Sequence, residues 1–102
     1  MKRAAIGLIS LWLGAGVAQA ADIEAGKNKA QACIGCHGPN GQASNPEWPN
    51  LAGQNANYIV NQLKAFKNGN RKNELMSPMA QSLSSEDVEN VAAYFSSLSS
   101  CK

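Results

Sequence analysis

The sequence predicts a small all-α domain. Three features predict it: apolar residues recur at helical spacing in two segments, capping residues bracket those segments, and no stretch alternates apolar and polar residues as a half-buried strand would. With 102 residues, the chain holds one domain at most.

The first 20 residues are read as lying outside that domain. Lys2 and Arg3 supply a short positive start, Ala4 to Val17 is apolar or small, and Ala18-Gln19-Ala20 is a small-x-small cleavage site. This is the layout of a secretory signal, removed after Ala20 to leave a single domain over 21–102. An uncleaved anchor is the alternative. The apolar run is short, however, against the roughly 20 residues a bilayer needs, and Gly14 and Gly16 weaken it further. No other segment could span a membrane, so the processed chain is not expected to be membrane-spanning.

The first helix is predicted from about Ile23 to Cys33, a stretch rich in Ala and Lys. The second runs from about Asn57 to Asn68, with Ile59, Leu63 and Phe66 on one face. Asn55 or Asn57 can cap its start, and Gly69 stands where a left-handed C-terminal cap is wanted. The third carries Val88, Val91, Ala92, Phe95 and Leu98 at helical spacing. Ser84 and Asp87 form the outline of a capping box, and Leu83 and Val88 stand at the positions of a hydrophobic staple. Glu86, Asp87 and Glu89 lie where the helix dipole favours negative charge, which accounts for that acidic cluster without a partner. Between Gly38 and Gly53, the residues Pro39, Gly41, Pro46 and Pro49 rule out regular structure. So long a loop in so small a domain is expected to wrap something.

Charge narrows the function. Once Lys2 and Arg3 leave with the signal, seven basic residues face seven acidic ones. No basic stripe with interleaved aromatics exists, which argues against nucleic-acid binding. A mature chain of this size is marginal on its own core and is expected to recruit a staple or cofactor.

Cys33-Ile34-Gly35-Cys36-His37 is a C-x-x-C-H sequence, the attachment signal for a c-type haem. Two thiols on one helical turn can each add to a haem vinyl group, and the next residue then lies beneath the porphyrin. Cys33 and Cys36 are thus predicted thioether anchors and His37 the proximal axial ligand, holding one covalently bound haem c. A dithiol redox site would follow a strand, and none is predicted. A zinc site would need further ligands, yet His37 is the only histidine and Cys101 the only other cysteine. A plain disulfide would leave His37 without a role.

For the other face of the iron, Met76 and Met79 are the two methionines of the mature chain, both in a loop expected ahead of the last helix. A thioether is a soft ligand that raises the haem potential. A methionine in a small protein is ordinarily core filling, but two that flank Pro78 in an otherwise polar loop are read as supplying one ligand. Spacing does not choose between the two.

These residues together resemble the bacterial class I cytochromes c, in particular one haem domain of the periplasmic dihaem cytochromes. The likeness runs from Ala25-Gly26 through the haem motif and Gly38 to Trp48-Pro49-Asn50-Leu51-Ala52-Gly53-Gln54. It continues from Arg71 through Met76-Ser77-Pro78-Met79-Ala80, then Leu83-Ser84 and Ala92-Ala93-Tyr94-Phe95. The dihaem relatives carry two such domains, and this chain carries one.

The resemblance implies a class I cytochrome c fold, about three main helices around one haem. It also implies Met76 as the distal axial ligand with Met79 as the fallback, and the Pro49 carbonyl as the acceptor for the ring N–H of the axial His37. By the same likeness Gly26 lets the first helix cross close to Tyr94 or Phe95 and Trp48 packs on the haem edge, while Arg71 either contacts a haem propionate or is a solvated loop charge.

The expected function is one-electron transfer in a respiratory chain in the periplasm, without enzymatic activity. Donors would be quinol-oxidising complexes, and acceptors terminal oxidases or periplasmic reductases. Two alternatives stand: an open-site haem protein (a peroxidase-like enzyme or gas sensor), or a haem subunit of a larger redox complex. The chain is expected to be a monomer, with a dimer linked through Cys101 as the other option.

Overall fold

The computed structural model of the chain describes residues 20–100, and its regular elements are all helices. The predicted signal segment up to Gln19, and Cys101 with its proposed disulfide, lie outside the described residues.

Helix α1 spans Ile23–Lys29. Asp22 starts it by accepting a hydrogen bond from the Ala25 N–H at 3.1 Å, the N-cap arrangement that satisfies an otherwise orphaned donor. The predicted single helix to Cys33 is instead broken. The chain tightens into a 3-10 turn at Ala30–Ala32, with Cys33 N donating to Ala30 O at 2.8 Å, and α2 follows as Ile34–His37. Such a turn is a common helix ending, since it supplies donors to the last carbonyls from three residues ahead. Gly38 then stops α2 at a φ of 89°, and a Cβ there would meet the Gln42 carbonyl oxygen at 2.0 Å.

Helix α3 spans Ala56–Asn68 and follows the prediction closely. Asn55 caps it by accepting from Tyr58 N at 3.1 Å, Gly69 ends it in the left-handed region, and Ile59, Val60, Leu63 and Phe66 are buried. Helix α5 spans Ser85–Ser97 and carries the predicted capping box in full: Asp87 N donates to Ser84 Oγ at 3.0 Å, and Ser84 N donates to Asp87 Oδ2 at 2.9 Å. Leu83 and Val88 both pack on the core, as a staple requires.

One helix was not predicted. The Met76 to Ala80 stretch, expected as loop, forms α4 over Met76–Gln81. Pro78 obscures it in the sequence, but the proline falls in the first turn, where a missing N–H costs little.

The core joins Ala30, residues of α3, Ala80 of α4, and Val88, Val91, Ala92, Tyr94 and Phe95 of α5. Each fully buried large side chain here contributes about 1.5–3 kcal/mol. Helix α1 packs most extensively on α5, with α3 and α4 completing the layer. The α1–α5 crossing passes through Gly26, whose nearest neighbours are the Asn90 carbonyl and then Tyr94; the predicted close approach is thus made mainly by main chain. None of the described helices is long and apolar enough to cross a membrane.

Candidate functional site

The C-x-x-C-H residues occupy a single turn. Cys36 N and His37 N both donate to the Cys33 carbonyl, at 3.2 and 2.9 Å, which places both thiols and the imidazole on one short helical segment. Cys33 is half-buried against the core and Cys36 is exposed, and no disulfide joins them. Burial pushes the Cys33 thiol up from its ordinary value, and the neighbouring Cys36 adds to the rise.

His37 is only 7% exposed, and its Nδ1 lies 2.8 Å from the carbonyl oxygen of Pro49. A carbonyl can only accept, so the Nδ1–H donates and the lone pair is left on Nε2. The irregular stretch brings Pro49 back to this point through its own hydrogen bonds. Leu51 N and Ala52 N both donate to Gly41 O, at 2.8 and 2.9 Å, and Ala43 N donates to Asn50 Oδ1 at 2.7 Å. Gly53 N then ties the loop to α5 by donating to Phe95 O at 3.0 Å.

Met76 is half-buried and packs on the same core cluster as Cys33 and Leu51, whereas Met79 is 36% exposed. Trp48 is half-buried, with its main-chain N–H donating to Asn45 O at 3.1 Å. Arg71 turns back onto α3: its guanidinium lies 4.6 Å from the centre of the Phe66 ring and donates to Gln62 Oε1 at 2.7 Å. An open cleft of about 440 Å³ beside α4 is lined by Phe66, Lys72, Asn73 and Ser77 among others, and by none of Cys33, Cys36, His37 or Met76.

The donor set fits a covalently held haem. It comprises two thiols one turn apart, an imidazole with its Nε2 lone pair set by a main-chain acceptor, and a half-buried thioether. A zinc site does not fit, because no three His, Cys, Asp or Glu side chains cluster among the described residues.

Sequence reasoning missed two residues that shape this site. Asn90 is buried on α5 and its Oδ1 accepts from Asp22 N at 2.8 Å, holding the start of α1. Its signal was a polar residue between Val88 and Val91 on the apolar helix. Asn73 accepts from Leu75 N and Met76 N, both at 2.9 Å. Its signal was an Asn ahead of a short Met-Ser-Pro-Met run with a Ser four residues on.

A family profile described as "Cytochrome c" matches residues 23–99. Cytochrome c-554(548) of Halomonas halodenitrificans is 48% identical over 81 residues, covering 76% of this chain and 98% of the relative. The crystal structure of reduced recombinant cytochrome c4 from Pseudomonas stutzeri superposes with a TM-score of 0.74 at 40% identity, covering 78% of this chain and 47% of that one. The thiosulfate dehydrogenase structure from Marichromatium purpuratum matches with a TM-score of 0.71 at 31% identity, over 76% of this chain and 18% of that one. The chain thus spans nearly all of one relative and about half of the cytochrome c4 chain.

Proposed function

The chain belongs to the cytochrome c family, with a class I fold and covalent haem c, and on that premise we propose that it is a periplasmic, single-haem electron carrier of a respiratory chain. Haem c, when bound, supplies an iron that accepts and returns one electron. Cys33 and Cys36 would anchor it, His37 would be the proximal ligand, and Met76 the distal one.

The observation that carries this reading is the 2.8 Å contact between His37 Nδ1 and the Pro49 carbonyl. It fixes the tautomer, orients the ring and presents Nε2 as a ligand. Met76, half-buried against the core, would serve as the second iron ligand, which would leave no site for a substrate to bind. Thioether ligation and burial both raise the potential, which suits a carrier rather than an oxygen-activating enzyme. The functional molecule is residues 21–102, left after removal of the signal over 1–20. Trp48 would pack on the haem edge, and Arg71 would contact a propionate only by leaving Gln62 and the Phe66 ring. Quinol-oxidising complexes serve as donors, and terminal oxidases or periplasmic reductases as acceptors, through small transient contacts. The carrier is a monomer.

The test is the visible spectrum of the reduced haem protein before and after carbon monoxide. An unchanged spectrum supports the carrier. A prompt adduct means an accessible iron and favours the open-site alternative.

The likeness to the thiosulfate dehydrogenase structure supports a second reading, in which the chain is the haem-bearing subunit of a larger redox complex. Stable co-purification of the chain with such a complex, through a salt wash, would favour it over a free shuttle.

A further inference from the structure

Helix α4 has six residues, too few to be stable on propensity alone, so what fixes its start also fixes Met76. That start is held by a chain of contacts beginning at the end of α3. Arg71 N donates to Ala65 O at 3.1 Å, and the Arg71 side chain covers Phe66 and reaches Gln62, pinning the backbone two residues before Asn73.

Asn73 then closes the turn from both ends. Its carbonyl accepts from Ser77 N at 3.0 Å, its Oδ1 accepts from Leu75 N and Met76 N at 2.9 Å each, and its own N–H donates to Ser77 Oγ at 3.0 Å. The next residue, Pro78, has no N–H with which to carry the helical ladder on from that turn. The side-chain oxygen of Asn73 accepts from N–H groups at the start of the turn that the helical ladder leaves unpaired, one of them that of Met76 itself. Asn73, Glu74 and Leu75 are all exposed, so little packing holds this segment apart from these bonds.

We propose that Asn73 is the positioning residue for Met76: its side-chain oxygen clamps the turn that presents the thioether, and so controls how readily that ligand leaves. This deepens the reading of Met76 as the distal ligand and rests on it. No electron or proton moves through Asn73. Its effect is to make the opened, Met76-displaced conformation rarer.

Cyanide binding to the ferric haem protein reports that opening, because an external ligand enters only when the thioether leaves. Asn73→Ala should bind cyanide about fivefold faster, the factor expected for losing a side-chain hydrogen bond to main-chain N–H groups, and should have a lower reduction potential. Asn73→Ser keeps a neutral oxygen acceptor of equal capping strength and should return both towards the parent values. A role confined to stability would lower the urea midpoint of Asn73→Ala while leaving its cyanide rate and potential unchanged, and that outcome overturns the proposal. A Ser variant as fast as the Ala variant overturns it too. Prompt carbon monoxide binding by the unmodified protein instead removes the Met76 assignment itself, which separates failure of the ligand reading from failure of the clamp.

Discussion

A Cβ placed on residue 26 would lie 2.0 Å from the carbonyl oxygen of Asn90, 2.5 Å from its carbonyl carbon and 3.0 Å from the Cβ of Tyr94. Gly26 and Asn90 thus form the closest point of the α1–α5 crossing, backbone against backbone. The Asn90 side chain adds a second hold on the same helix through Asp22 N, 2.8 Å away. Cys33 and His37 follow α1 with only a 3-10 turn between, so the crossing also sets where the haem motif begins.

Gly26→Ala should therefore destabilise the protein. Alanine gains about 1 kcal/mol of helix propensity over glycine. Against that, the clash is with main-chain atoms that cannot rotate away, and overpacking of this kind costs about 1–3 kcal/mol even where neighbours can adjust. The clash should win by about 1 kcal/mol or more, lowering the melting temperature by roughly 4–8 °C per kcal/mol in a domain of this size. Thermal unfolding of the haem protein measures it. A stabilised variant would show that the two helices can part without cost.

Pro49→Ala should leave the imidazole hydrogen bond in place, because the acceptor is the main-chain carbonyl and every residue has one. The visible spectrum should match that of the parent protein. Stability should fall by about 0.4–1 kcal/mol, from the greater freedom of the unfolded chain. An altered spectrum would mean that the pyrrolidine ring itself positions the carbonyl.

Much of this architecture was legible because the sequence announces it locally. Helices α3 and α5 carry an apolar face together with explicit caps, Asn55 and Gly69 for one and the Ser84–Asp87 box for the other. The thiols and imidazole were legible because their spacing is itself the chemistry. The break after Lys29 was not legible, since an Ala-rich run reads equally well as one helix or two. Helix α4 was hidden because the Asn that accepts from its first N–H lies three residues ahead and its first turn holds a proline, each of which reads as loop. The Pro49 contact spans 12 residues of irregular chain, and no periodicity reports such a return. Only the family likeness anticipated it.

Acid should weaken the α5 cap in a defined direction. The Ser84 backbone N–H, donating to the Asp87 carboxylate, holds that group below its usual range, with smaller help from the Ser84 hydroxyl and from Lys29 at 3.4 Å. The folded pKa thus lies below the unfolded value of about 3.9. The stabilisation is fully present above that unfolded value and is lost as pH falls through the folded one. Asp87→Asn keeps an acceptor oxygen but loses the charge. Its urea midpoint should be lower than the parent's near pH 7, with the gap closing below about pH 4. A gap that persists to pH 2 would place the benefit in geometry rather than charge. Because the carboxylate is near the surface and its ion pair exposed, salt should shrink the part due to Lys29.

The two methionines should separate cleanly. Met76 packs on the core cluster that also holds Cys33, while Met79 is 36% exposed and its carbonyl is engaged by the Ser82 hydroxyl at 2.7 Å. With Met76 as the distal ligand, Met76→Ala should let the reduced protein bind carbon monoxide promptly. Its reduction potential should also drop by on the order of 0.1 V, a fraction of the range that axial ligands command. Met79→Ala should remain closed to carbon monoxide and near the parent potential, because an exposed side chain gives up little packing when truncated. The reverse pattern would move the ligand to Met79. It would also require Met79, 36% exposed here, to turn inward, which its place on the same side of α4 three residues from Met76 allows.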